Sequence, residues 1–371
     1  MADVHAPFRF DYVGSFLRPD VLKQARADAE AGLLSAEQLR VVEDVCIRDL
    51  VKKQQSAGYA VITDGEFRRS YWHLDFMWGL NGIEHLELDH GYFFHGEETT
   101  HGSAEVSGKI SGEHHPFVED FKFVQALCDE HTVAKQCIPA PAQTLAELFR
   151  EDNGITTRKF YPSDDELIHD LAAAYHTVIL DLYEAGCRNI QLDDCTWGML
   201  VDDGYWAHKM NEGVSFEEEA ERFLTVNNLA LENLPQDLTV TTHVCRGNYH
   251  STYACTGPYD RVAPYLFARE RVDAFYLEFD DERSGGFECL AELPTDKKVV
   301  LGLVTSKRPE LESAELIKAR VAEAAAFVDR ERLYLSPQCG FASCEIGNKL
   351  SEAEQWAKLA HVRALAEEIW A

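Results

Sequence analysis

The feature that most constrains the fold is an alternation running the length of the chain. Eight short runs rich in apolar and β-branched residues are separated by longer stretches with helical periodicity. The short runs are residues 8–13, 60–63, 133–138, 189–192, 239–242, 274–277, 299–304 and 333–335, bounded by Gly, Pro, Asp or Ser. Several lack polar alternation, as strands covered on both faces do. Helical periodicity marks residues 35–57, 165–185, 215–233, 313–330 and 351–370, with Ser35 and Ser163 at N-cap positions. Strands alternating with helices build a parallel sheet, and eight repeats predict a (β/α)8 TIM barrel spanning residues 1–371. An open doubly wound sheet is the alternative.

One segment breaks the rhythm. Residues 68–130 separate the second and third runs and are dense in aromatic residues and His, including Tyr71, Trp72, His73, Phe76, Trp78, Tyr92, Phe93, Phe94 and His95. A connection this long is usually functional. It is expected to form an insertion or hairpin subdomain at the barrel mouth, after the second strand. The alternative packs it against a second copy of the chain in a homo-oligomer.

The formal net charge is -29, which repels phosphate backbones and anionic lipid and excludes nucleic acid and membrane surfaces as partners. The first residues do not read as a signal peptide, and no apolar run approaches the ~18 residues a spanning helix needs, so a cytoplasmic location is expected. The ten cysteines are dispersed rather than crowded, which argues against a disulfide framework.

Four side chains carry the chemistry. His243 and Cys245 follow the fifth run, Glu278 follows the sixth, and Cys339 follows the eighth. The carboxyl ends of all barrel strands converge on one face, where active sites lie, so residues about a hundred positions apart can meet there. Two thiolates, an imidazole and a carboxylate suit zinc, and the His-x-Cys spacing on an extended segment puts both side chains on one side. Taken alone, His-x-Cys is equally satisfied by a buried His beside a core Cys. Structural zinc sites usually carry paired C-x-x-C knuckles, which are absent here. A carboxylate ligand at a barrel mouth instead suits a small thiol that binds the metal and ionises there. Cys195, Cys255, Cys289 and Cys344 are assigned to structure.

Asp64-Gly65-Glu66-Phe67, Gln191-Leu192-Asp193-Asp194, His243-Val244-Cys245, Glu278 and Pro337-Gln338-Cys339-Gly340 occur in one order. Together they resemble the catalytic barrel of cobalamin-independent methionine synthase. Gly14-Ser15-Phe16-Leu17-Arg18-Pro19 and the run from Thr63 to Phe76 resemble its short, single-barrel branch. The resemblance covers nearly the whole chain. It implies zinc held by His243, Cys245, Glu278 and Cys339, and methyl transfer from 5-methyltetrahydrofolate to the thiolate of homocysteine. It also implies that Gly14 and Ser15 receive the substrate carboxylate, and that Glu66 and Asp193 hold its ammonium group. Two carboxylates at strand ends can pair with one ammonium in a partly dry pocket.

Three departures from the family pattern concern the methyl donor. The second, N-terminal barrel of full-length members is not expected here, since the resemblance places the start of this sequence at the catalytic barrel. Glu147 stands where the family has a Trp that stacks on the pterin, and a carboxylate offers no stacking face. Lys307 or Ser306 stands nearest the position of a His that the resemblance implies protonates the leaving pterin, which makes Lys307 a candidate acid; His73 from the insertion is the other. The expectation is therefore a zinc-dependent S-methyltransferase of methionine biosynthesis, with a methylfolate-type donor. The alternatives are a zinc-thiolate alkyltransferase with another donor or thiol (methylcobalamin, or an epoxide with coenzyme M), and a non-catalytic zinc barrel that binds a thiol.

Overall fold

In the computed structural model, which describes residues 5–211 and 213–371, six strands form one parallel sheet in chain order: Gln136–Pro139, Asn189–Asp194, Thr239–Val244, Ala274–Glu278, Lys298–Val304 and Leu333–Pro337. Val61–Ile62 pairs in parallel with Val133–Ala134, and Phe10 bridges in parallel to Leu335. The Phe16 amide donates to the Gly65 carbonyl at 3.1 Å, joining the first and second positions. Eight parallel positions thus close on themselves in a TIM barrel. Nearly every residue of these strands is buried, because one face meets the barrel interior and the other meets the helices.

The sequence runs and the strands differ in two places. The run 8–13 contracts to a bridge at Phe10, because the Asp11 carboxylate accepts from the Phe8 and Tyr12 amides at 3.1 and 2.7 Å and removes them from the ladder. The run 133–138 divides at Lys135, whose amide still donates to Ile62 at 2.8 Å while Gln136 begins the pairing with Ile190. The helix expected over 313–330 ends at Ala324. Ser35 caps the helix Ala36–Ser56 in a reciprocal box with Gln38, whereas Ser163 takes the N-cap position of Asp164–Glu184 without a side-chain hydrogen bond.

The barrel interior holds a buried ion pair. Lys135 Nζ lies 3.3 Å from Asp11 Oδ1 and donates to Gln191 Oε1 and the Tyr12 carbonyl, while Tyr276 Oη donates to Asp11 at 2.9 Å. Replacing Lys135 by Met strips the buried Asp11 of its ion-pair partner. The expected cost is about 3–5 kcal/mol of unfolding free energy, read from urea titration of the variant beside the parent.

The segment after the second strand contains an antiparallel hairpin, Asn81–Glu87 with Gly102–Ser111, and a smaller one at its tip, Phe93–Phe94 with Glu97–Glu98. The tip reaches back over the barrel mouth. The His95 amide donates to the Tyr253 carbonyl at 3.3 Å, Phe94 packs on Tyr249 with ring centroids 5.6 Å apart, and Glu97 contacts His250 and Lys349 at 3.0 and 2.9 Å. Among the described residues, no helix is long and apolar enough to cross a membrane.

Candidate metal centre and its two clefts

His243 and Glu278 lie inside the carboxyl-terminal ends of their strands rather than beyond them, and Cys245 and Cys339 follow one and two residues past theirs. The parallel register of neighbouring strands draws these ends together. Ligand-type atoms of His243, Cys245, Glu278 and Cys339 all lie within 4.8 Å of one another, and all four residues are buried. The two sulfurs are 3.9 Å apart, and their mutual hydrogen bond together with burial pushes the Cys339 thiol well above its ordinary value.

The surroundings orient the set. His243 Nδ1 lies 3.3 Å from the Tyr276 carbonyl, which fixes the tautomer that donates there, and leaves Nε2 buried without a hydrogen-bond partner. The Gly247 amide donates to Cys245 Sγ at 3.3 Å, and the Arg246 amide donates to Glu278 Oε1 at 2.8 Å. Arg283 contacts Glu278 Oε2 at 2.5 Å and also binds Asp280 and Asp281. Burial raises the Glu278 carboxyl, but Lys307, Arg283 and His243 outweigh it and hold the group below its ordinary value. An orphaned imidazole nitrogen, two thiols and an ionised carboxylate converging in a dry site fit a borderline-soft divalent ion such as zinc.

A cleft of about 470 Å³ opens beside this cluster and is lined by Ser15, Glu66, Asp193, His243, Cys245 and Cys339, among others. Burial raises Glu66 to about 7, with Arg69 at 3.6 Å pulling it back. Burial likewise raises Asp193 to about 7, against a hydrogen bond from Gln191. Glu66 adopts a left-handed backbone with φ of 61°, and its Oε2 is buried without a partner, so strain and an unmet acceptor coincide on the residue facing the cleft. Asp194, by contrast, points away and caps the following turn through Thr196. Ser15 Oγ accepts from the Ala342 amide at 3.3 Å, which ties the Gly14-Ser15 loop to the loop carrying Cys339. That approach requires glycine at 340, where a Cβ would stand 1.9 Å from Ser15 Oγ.

A second cleft of about 480 Å³ shares Tyr71, Trp72, Phe94, Cys195 and Gly247 with the first. His73, Tyr92, Gln143 and Met199 also line it. The aromatic walls come from the insertion. Glu147 is wholly buried, accepts from Ser103 Oγ at 2.5 Å and bonds the Tyr92 hydroxyl, so it fastens the hairpin to the barrel.

The structure does not bring Lys307 to either cleft. Its ammonium group is buried without a hydrogen-bond partner, and its charge acts on Glu278 and Asp280. Cys195, assigned to structure from the sequence, lines both clefts. Sequence reasoning missed Asn248, which lines the first cleft and whose amide donates to the Gly340 carbonyl at 2.7 Å, and Arg283. Only the acidic run Asp280-Asp281-Glu282 before Arg283 offered a signal for the latter.

Residues 10–368 match the family model for the catalytic domain of cobalamin-independent synthase. The uncharacterized protein YxjH of Bacillus subtilis is 43% identical over 366 residues, covering 98% of this chain and 95% of that protein. A methionine synthase of Saccharolobus solfataricus is 25% identical over 333 residues, covering 88% of this chain and 86% of that one. A crystal structure from Listeria monocytogenes, described as a candidate vitamin-B12-independent methionine synthase, superposes with a TM-score of 0.78 at 37% identity and covers 100% of both chains. With the barrel, the order of the motifs and the match agreeing over almost the entire length, the chain belongs to the cobalamin-independent methionine synthase catalytic-domain family.

Proposed function

We propose that this protein is a zinc-dependent S-methyltransferase that methylates the thiol of homocysteine to give methionine. The observation that carries the reading is the pairing of two features at one cleft: His243, Cys245 and Cys339 of the four-residue cluster line it together with Glu66 and Asp193. Zinc held by those four residues supplies a Lewis acid that keeps a thiol ionised near neutral pH. Glu66 and Asp193 pair with the substrate ammonium, and the Ser15 hydroxyl donates to its carboxylate. These contacts hold the sulfur in line with the incoming methyl group, and such alignment supplies much of the rate. The hairpin of the 68–130 insertion covers the mouth and excludes water.

Two buried carboxylates facing the cleft repel a sulfonate, which favours an aminothiol over coenzyme M as acceptor. The test is metal analysis of the purified protein, followed by incubation with homocysteine and 5-methyltetrahydrofolate, methylcobalamin or a methylsulfonium donor. Methionine formed from at least one donor, in a metal-dependent manner, is expected. None from any donor, with zinc bound, would leave only a thiol-binding role.

Arg283 is expected to matter through Glu278, because it neutralises and fixes that carboxylate. Arg283→Met should weaken zinc binding by about 10–100-fold, measured by competition with a chromophoric chelator. An unchanged affinity would mean that the ion pair serves only the loop.

A further inference from the structure

One buried side chain ties together three loops that build the first cleft. Arg18 is 3% exposed. Its Nη1 donates to the Ala342 and Phe16 carbonyls at 2.6 and 3.2 Å, and its Nη2 donates to the Glu66 and Arg69 carbonyls at 2.7 and 3.3 Å. The four hydrogens of its terminal nitrogens therefore end on four main-chain oxygens, while Nε is buried without a partner. Phe16 belongs to the loop carrying Ser15, Glu66 and Arg69 to the loop after the second strand, and Ala342 to the loop carrying Cys339. Ser15, Glu66 and Cys339 all line the cleft.

A planar guanidinium presents its donors in a rigid fork, so the three loops are held at one spacing. The contact to the Glu66 carbonyl pins a residue with φ of 61°, a left-handed backbone that persists in a non-glycine residue when its surroundings impose it. Arg69 secures the other end of the same residue. Its guanidinium lies 3.6 Å from Glu66 Oε1 and is anchored on the Trp72 and Cys137 carbonyls at 3.1 and 2.5 Å. Burying an ion carries a desolvation cost, and apolar side chains of similar volume often stabilise a fold as well or better. An ion set where three cleft loops meet points to a need for exact spacing rather than for stability.

We propose that Arg18 is a positioning residue that sets the distance between the sulfur end and the ammonium end of the acceptor site, and so selects a thiol amino acid by the length of its side chain. The proposal rests on the homocysteine reading above. Cys339 and its neighbours fix the sulfur end, Ser15 and Glu66 fix the other, and Arg18 joins the loops that carry them. Homocysteine has two methylene groups between Cα and sulfur and spans the gap. Cysteine has one, so it reaches the metal or the ammonium site and not both in one pose.

The test is calorimetric titration of the zinc-loaded full chain with homocysteine and with cysteine, which needs no methyl donor. The parent should bind homocysteine about 10–200-fold more tightly, the range that one methylene commands in a fitted pocket. Arg18→Lys keeps the charge but loses the fork, and Arg18→Met loses both. In each, the preference should fall at least about fivefold through loss of homocysteine affinity, with zinc content unchanged. Low-millimolar guanidinium should restore part of the preference to Arg18→Ala, and urea at the same concentration should not. Gly340→Ala drives a Cβ against Ser15 Oγ and spreads two of the same loops, so it should relax the preference as well. It decides the matter if the Arg18 variants do not fold. A smaller fall in the preference overturns the proposal, as does an equal loss of affinity for both thiols, which would mark a structural role. A parent that binds the two thiols equally also overturns it, while the methyl-transfer reading stands. A zinc-loaded parent that binds neither removes both.

Discussion

Cys339→Ser is expected to yield a folded barrel that copurifies with far less than one zinc per chain and transfers methyl groups at least about 1000-fold more slowly. Cys339 sits on the loop after the eighth strand, and its sulfur lies 3.9 Å from Cys245. A serine hydroxyl in that place stays protonated near neutral pH and offers zinc neither charge nor a soft donor. The barrel should persist, because its sheet ends at Pro337 and its core is built from residues elsewhere. Metal content by atomic emission, beside the circular dichroism of parent and variant, checks both halves of this expectation. Full zinc occupancy in Cys339→Ser would remove the site from its proposed place.

Asp193→Asn should weaken homocysteine binding by about 2–5 kcal/mol, at least about 30-fold, with zinc content unchanged. The substrate ammonium would lose one of two buried carboxylates, and calorimetric titration of the zinc-loaded protein reads the loss directly. The same pair sets a pH dependence. Burial raises Glu66 and Asp193 to about 7 in the free protein, from ordinary values of 4.5 and 3.8. An ammonium pairs only with the ionised forms, so affinity should be greatest above pH 7. Below that, each protonated carboxyl must release its proton on binding, and affinity should fall by up to about tenfold per pH unit per carboxyl. The sign for folding is opposite to that of a salt-bridged acid. These carboxyls favour the folded state most below their unfolded values near 4, and that contribution is lost as pH rises through 7. Binding that is flat from pH 6 to 8 would count against both carboxylates as the ammonium site.

The barrel was legible because its cause is local. Apart from His243 and Lys298, strands such as Thr239–Val244 and Lys298–Val304 are apolar or β-branched on both faces, and helices elsewhere in the chain open on capping serines at 35, 215, 313 and 351. The cluster of His243, Cys245, Glu278 and Cys339 was legible for a topological reason: parallel strands of one barrel end on one face. Phe8 to Val13 misled, since a single buried Asp11 diverted the amides that the pattern would have given to a ladder.

Residue types and their order determined the closed parallel sheet and the four side chains that meet at its mouth, because periodicity and strand direction are written locally. Only the tertiary structure decided which charges face the clefts. It brought the Lys307 charge to bear on Glu278, placed His73 beside Glu147, and seated Phe94 against Tyr249. Each of those contacts joins residues from segments distant in the chain. Their positions depend on how the insertion docks and where burial leaves a polar atom unmet, which no local pattern encodes.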